Sequence, residues 1–492
     1  MSSNFNTRPL ILFAGGAIYI VFTLMVFRAL MGGDIMKFAA LMGLAVALLF
    51  NAFRKYWVGL LLGALAVHVG GSAIPFVSYQ PYIVIMAIIA GYGVVDYALK
   101  KRAPFIRWRL YYTLFFLAAV SVTVRVIYDR PGGANLGSQA GGMRKAVEYI
   151  FAFWAFFVAY WATTQSGMWK SNLKLIIAIS LFCYLTLHIS MRYLSGTFLL
   201  NVYGLSFNWA LYPVYAAMLV VSLSARSRRL FSDVAYIFVS CFVLTMGAIS
   251  QTRAAMIQVP LMVLCMAFIY RRVPTAIITL TLVGLIGLGT LLSVVSYHNL
   301  PDNVRRPISI FMGEREAEAS YGRKDEFREV LNRYADKKMA QSPWVGNGWA
   351  FDVGELLSSM NQLQGFGEGG AQLEMTGAFH NVYLTIAVNN GIPTAACIVL
   401  AMVLAMYSLA VYARSHADDV DKAPIAFLLT FCSSVFVMYF VNGGVWDAFA
   451  LSALLGVASA LRDKFESQRE LIQLPTSHSG HSLPEARKED LA

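Results

Sequence analysis

Charge is scarce in this sequence. Only 13% of its 492 residues are Asp, Glu, Lys or Arg, against 58% hydrophobic residues. An ordinary soluble domain carries about 25% charged residues. With a mean hydropathy of +0.60 the chain is not a soluble globular protein, and it is too apolar to be disordered. Cysteine is scarce too. Cys183, Cys241, Cys265, Cys397 and Cys432 all fall in apolar runs, so none is placed to staple an external loop and no disulfide framework is read. The sequence lacks His-Glu-x-x-His, Cys-x-x-Cys and the Gly-x-x-x-x-Gly-Lys-Ser/Thr phosphate loop, and it has no paired external carboxylates at metal-ligand spacing. The expectation is chemistry without metal, ATP or another cofactor.

Long apolar sequence is what the chain has in abundance. A transmembrane helix needs about 20 apolar residues, and such runs repeat from near residue 9 to near residue 461. They are continuous, unlike the alternating strands of a membrane barrel. The predicted fold is all-α and polytopic. Its fourteen spans lie near 9–28, 36–53, 56–74, 80–98, 109–127, 146–165, 173–191, 207–225, 231–249, 254–270, 274–296, 391–413, 424–442 and 445–461. The first run, behind the single basic Arg8, is too long for a signal-peptide core and reads as a span.

Charge orients these spans. One set of connections holds Arg54 and Lys55; Lys100, Lys101, Arg102, Arg107 and Arg109; Lys170 and Lys174; Arg226, Arg228 and Arg229; Arg271 and Arg272; and Arg414 and Lys422. The alternate set is sparse, and 75–79 and 443–444 carry no Lys or Arg. The rich set is cytoplasmic by the positive-inside rule, with both termini. The net charge of +12 therefore reads as topology, not as a nucleic-acid partner.

One external connection is long. Residues 297–378 number 82 and carry 9 Lys+Arg against 12 Asp+Glu, and loops of that length are usually functional. An amphipathic helix is predicted at about 322–339, with Arg323, Phe327, Val330, Leu331 and Tyr334 on one face. Pro343–Trp349 is turn-rich, and Gly365–Gly370 reads as a hinge or lid. The chain divides into N-terminal spans (1–230), spans carrying an external arginine turn (231–296), the long loop (297–379), a re-entry segment with the last spans (380–461), and a cytoplasmic disordered tail (462–492).

Charge at a membrane edge marks function. Arg253, in Ser250-Gln251-Thr252-Arg253, is the only charge between Asp233 and Arg271 and lies on the sparse side. It is either a snorkelling arginine or an anion clamp near a helix N-terminus, where phosphate is favoured. Arg323 lies on the apolar face of its helix and needs an anionic partner, from the loop or from a ligand. His380, at the re-entry point, is an interfacial hydrogen-bonding histidine or a general base. Trp344, Trp349, Tyr321 and Tyr383 are interfacial aromatics or platforms for sugar rings. Asp34 and Asp447 stand isolated near span edges.

These features come in one order: Ser-x-Thr-Arg, Gly322-Arg323-x-x-x-Phe327, Pro-x-x-Gly-x-Gly, then His380-Asn381-x-Tyr383-Leu384. Over about 245–415 the chain resembles the O-antigen ligase/polymerase superfamily of bacterial envelope glycan assembly. Thr252 and Phe327 stand where that family often has Ser and Trp. The resemblance implies a metal-independent inverting glycosyltransferase, with a fold similar to the C-type membrane glycosyltransferases, in the bacterial inner membrane with its long loop periplasmic. The implied donor is a glycan on undecaprenyl diphosphate. The implied acceptor is another lipid-linked glycan (polymerase) or lipid A-core (ligase), with membrane lipids and envelope polysaccharide assembly proteins as partners. It implies catalytic roles for His380, Arg253 and Arg323, and substrate binding by Asn381, Tyr383, Trp344, Trp349 and Gln251. Fourteen spans exceed the number common in the ligases, which favours a polymerase. A transporter of a lipid-linked glycan or anion and a non-catalytic assembly scaffold are the competing classes.

Overall fold

A computed structural model describes residues 52–66, 81–100, 107–129, 142–195, 204–224, 229–249, 255–294, 332–349, 381–416, 419–441 and 444–473. Among the described residues the fold is all-helical, without a strand. The helices are α1 (Trp57–Ala66), α2 (Pro81–Lys100), α3 (Leu110–Asp129), α4 (Gly142–Gln165), α5 (Trp169–Ser195), α6 (Gly204–Ser224) and α7 (Arg229–Ile249). Then follow α8 (Ala255–Ile269) and α9 (Val273–Val294), α10 (332–341), α11 (Val382–Asn390), α12 (Ile392–Ser415), α13 (Asp419–Val441) and α14 (Val445–Gln473).

Among the described residues seven helices are long and apolar enough to cross a membrane, within α2, α3, α4, α7, α12, α13 and α14. Shorter apolar helices occupy 211–224, 255–269 and 273–286. The expected span 9–28 and all but the last two residues of 36–53 lie outside the described residues, while the others coincide wholly or partly with a helix. Two elements differ from expectation. The short helix α11 stands between the long loop and α12. Helix α14 runs to Gln473, so residues 462–473 are helical where a disordered tail was expected; 474–492 lie outside the described residues.

The cause of that extension is distant in sequence. Asp463 is fully buried. Its Oδ1 accepts from Arg109 at 2.8 and 3.1 Å, and its Oδ2 accepts from the Tyr112 and Tyr160 hydroxyls at 2.8 and 2.9 Å. Glu466 accepts from Arg107 at 2.9 Å and Arg109 at 2.7 Å. Burial opposes the charge of Arg109, but Asp463 and Glu466 outweigh it and hold the guanidinium above its ordinary pKa. An acid buried with this many donors is satisfied, and the helix that carries it stays ordered.

The core is the packing of α4 on α14, two helices rich in small residues. Ala152, Ala155, Ala159 and Ala162 of α4 are buried, as are Ala453, Ala458 and Ala460 of α14. A Cβ on Gly456 would sit 2.2 Å from the Phe156 carbonyl oxygen. Small residues let the two backbones approach, which dispersion rewards inside a membrane. Basic connections meet at one end of this bundle. Arg54 pairs with Asp96 and donates to Gln165, Arg271 donates to the Arg414 carbonyl, and Arg107 and Arg109 hold α14. At the other end α11 and the 343–349 turn are seated.

Candidate functional site

Helix α11 is fixed at both termini. Asn381 is its N-cap in extended conformation, accepting from Leu384 N–H at 3.2 Å. The Asn381 amide also donates to the Phe440 carbonyl at 2.6 Å, near the end of α13. An Asn before an apolar run is a usual helix start, and here the cap is tied to a neighbouring helix. Thr385, one turn on, donates to the Asn381 carbonyl at 2.9 Å and bonds the buried Tyr149 hydroxyl of α4. Tyr383 lies with its ring centroid 6.2 Å from that of Phe440.

The C-terminus of α11 is latched by the Pro-x-x-Gly-x-Gly turn. Asn347 N–H donates to Val388 O at 2.7 Å, Gly348 N–H to Asn389 O at 3.0 Å, and Ile392 N–H to Pro343 O at 2.8 Å. Gly346, Gly348 and Gly391 all have positive φ, at 73°, 87° and 89°. Contact is tight as well: a Cβ on Gly391 would lie 2.3 Å from Trp344 O, and one on Gly348 2.5 Å from Asp129 Oδ2. Asp129 ends α3, accepts from Trp349 N–H at 2.8 Å, and pairs with Arg125 at 3.0 Å. The motif is thus read here as a structural catch that fastens the end of the long loop to α3 and α11. Alanine at Gly348 or Gly391 forces a left-handed residue, costing about 1–3 kcal/mol, onto an occupied site. Both variants are expected to lower the melting temperature of purified protein, and unchanged melting would show that the turn is not a fastening.

The aromatic candidates separate. Trp349 is 4% exposed; its indole donates to Asn390 Oδ1 at 3.0 Å and its ring lies 5.2 Å from Tyr149. It belongs to the core and presents no face to a sugar. Trp344 is 78% exposed, beside exposed Val345. Of the candidate residues, Asn381, Tyr383 and Trp349 gather around α11. His380, Arg253, Arg323 and Gln251 lie outside the described residues.

What is described is where the flanking helices begin. α8 packs antiparallel to α13: Gln258 donates to the Ser434 carbonyl at 2.9 Å, and the Lys422 ammonium sits 4.3 Å from the Tyr270 ring. Ala255 starts α8 about 4.5 Å beyond the level of Gln258, and Phe440 lies about 9 Å beyond that of Ser434. The first residue of α8 and the N-cap of α11 therefore abut the same last turns of α13, about one turn apart. Arg253 precedes the first by two residues, and His380 precedes the second by one.

Two further groups stand at this end. Asp447, in the first turn of α14, is 1% exposed. Its Oδ2 accepts from Gly444 N–H at 2.7 Å, the reach-back half of a capping box, while Oδ1 has no hydrogen-bond partner among the described residues. The Tyr439 hydroxyl, fully buried, has none either. Asp447 is an electrostatic neighbour of Tyr149 and Tyr212, and Tyr439 of Tyr149 and Tyr383. The sequence shows Asp447 only as an isolated span-edge acid. The available signal was its place opposite the loop re-entry, next to a connection without Lys or Arg.

Residues 237–399 match the family model described as O-Antigen ligase. The match runs from α7 into α12, about a third of the chain, and contains every motif of the arginine turn, loop and re-entry segment. It supports the O-antigen ligase/polymerase superfamily, and with it a glycan-transfer enzyme that is an integral membrane protein. No curated protein matches the chain. Among the described residues no group of three His, Cys, Asp or Glu is placed to hold a metal ion.

Proposed function

We propose that this O-antigen ligase-family chain is a polysaccharide polymerase of the bacterial inner membrane. Its fourteen spans would carry both termini in the cytoplasm and the long loop in the periplasm. It joins oligosaccharides carried on undecaprenyl diphosphate. The observation that supports this most is the seating of α8 and α11 on the same last turns of α13. The residues just ahead of them in sequence are Arg253 and His380, to which this reading gives the roles of anion clamp and base.

In this reading Arg253 and Arg323 bind the diphosphate and stabilise the negative charge that grows as it leaves. His380 accepts the proton of the attacking sugar hydroxyl. The hydroxyl oxygen bonds to the anomeric carbon as the bond to diphosphate breaks, with inversion, and undecaprenyl diphosphate departs. Asp447 and Tyr439, each holding a buried polar atom without a hydrogen-bond partner among the described residues, take up hydroxyls of the glycan. Buried polar atoms of this kind are costly unless something pairs them. The ligase reading keeps the same donor chemistry and changes only the acceptor, to lipid A-core.

Chain-length analysis of glycan from a deletion strain tests the choice. A polymerase predicts loss of long chains with single repeats still attached. Polymer retained on the carrier lipid, with none on lipid A-core, would instead make the protein a ligase. Unchanged glycan would end both readings.

A further inference from the structure

Away from the proposed reaction centre, the basic end of the bundle carries a cavity of about 460 Å³ between α3, α12 and α14. Its polar part is formed by Arg109, Arg462 and Ser408, and its wall by Leu404, Tyr407 and Val411 along one side of α12. Acidic groups stand behind it, not in its lining. Asp463 is fully buried and saturated by Arg109, Tyr112 and Tyr160, and Glu466 is held by Arg107, Arg109 and Arg462. The lining therefore presents positive charge alone.

The two guanidiniums are fixed but not exhausted. Arg109 spends Nε and Nη2 on Asp463 and Glu466. Arg462 spends Nε on Glu466 and Nη1 on Ser408, at 2.8 and 2.6 Å. Neither Nη1 of Arg109 nor Nη2 of Arg462 has an acceptor among the described residues, and both side chains face the cavity. Held in place by acids behind them, they form a preorganised pair of donors toward the opening.

The apolar wall has a matching length. From Ser408, away from the basic end, α12 runs back to its start at Ile392, about 24 Å, which spans one leaflet of a hydrocarbon core about 30 Å thick. Tyr407 is 66% and Val411 42% exposed along this wall. A ligand that fits is anionic at one end and apolar for the depth of a leaflet. Basic pockets between transmembrane helices on the cytoplasmic side commonly take anionic lipid headgroups.

We propose that this cavity is a binding site for an anionic phospholipid, its phosphate on Arg109, Arg462 and Ser408 and an acyl chain along α12. Charge alternation assigns this end to the cytoplasmic leaflet, so the site is separate from glycan transfer and stands whether or not that function does.

The test uses the full-length protein in nanodiscs of phosphatidylcholine doped with a fluorescent phosphatidylglycerol or a fluorescent phosphatidylcholine. Energy transfer from the protein's tryptophans reads the bound fraction. Wild type is expected to favour the anionic probe. Arg462→Gln is expected to weaken that preference about fivefold, the worth of one arginine near a charged membrane surface. Val411→Phe fills the wall without adding a tryptophan donor, leaves the ion pairs intact, and is expected to abolish the preference even where Arg462→Gln misfolds. Equal binding of the two probes by wild type would overturn the proposal, as would a preference that survives Val411→Phe. Displacement of the probe by millimolar inorganic phosphate would also overturn it, by showing a site for free anions.

Discussion

Alanine at Arg253, Arg323 or His380 is expected to abolish glycan transfer while the chain still inserts. In the proposed mechanism each arginine supplies charge-assisted donors to a departing diphosphate, and loss of one such donor costs about 10²–10³-fold in rate. Loss of a positioned general base costs about 10²–10⁴-fold. Arg253→Lys keeps the charge but loses the planar fork that grips two phosphate oxygens, so partial activity is expected. The measurement is transfer by purified protein from a lipid-linked donor, with membrane level and melting temperature checked in parallel. Wild-type transfer by all three alanine variants at normal levels would remove these residues from the mechanism. Wild-type transfer by one would remove that residue alone.

Much of the fold was legible because each span is a continuous apolar run whose ends are marked by charge or by Gly and Pro. Helix α3 begins one residue after the predicted span at 109, and α12 one residue after that at 391. What the sequence hid depends on partners far along the chain. Arg462, Asp463 and Glu466 read as the start of a polar tail. They are helical because Arg107 and Arg109, more than 350 residues away, hold Asp463 and Glu466, and Arg462 is tied to Glu466 and Ser408. Helix α11 was hidden for a different reason. Nine residues of mixed polarity resemble a re-entry loop, and only the Asn381 cap and the Asn389-Asn390-Gly391 turn mark its ends.

The candidate site was legible as an order of motifs but not as a set of roles. Pro-x-x-Gly-x-Gly has the look of a ligand loop. Its glycines are instead required by positive φ and by backbone contact with Asn389 and the Asp129 carboxylate. Trp349 has the chemistry of a sugar platform, yet Tyr149, Asn390 and Asp129 enclose it. No local pattern announces such enclosure, because its partners come from three other helices. Asn381 is spent on the α11 cap and on Phe440, so its contribution to the proposed reaction is to hold the residue before it.

Asp447→Asn separates a structural acid from a functional one. The reach-back bond to Gly444 N–H needs only an acceptor oxygen, which asparagine retains, so the helix start keeps nearly all of its stabilisation. What the substitution removes is the second acceptor oxygen of a side chain buried at the re-entry end, where one oxygen has no partner among the described residues. If that oxygen accepts a glycan hydroxyl, Asp447→Asn should leave the melting temperature unchanged and lower kcat/KM about 10–100-fold, since the amide turns a donor to the incoming hydroxyl and a buried group left unpaired costs roughly 1–3 kcal/mol. Tyr439→Phe removes a hydroxyl that likewise lacks a partner among the described residues. It should be neutral or stabilising for the fold, because a buried unpaired hydroxyl is a cost. Its loss should appear chiefly in KM, as expected for a group that binds sugar in ground and transition states alike. A fall in melting temperature with unaltered kinetics would make both residues packing elements. The joint result, unchanged melting with impaired transfer, extends the site across the end of the bundle from α8 and α11 to α14.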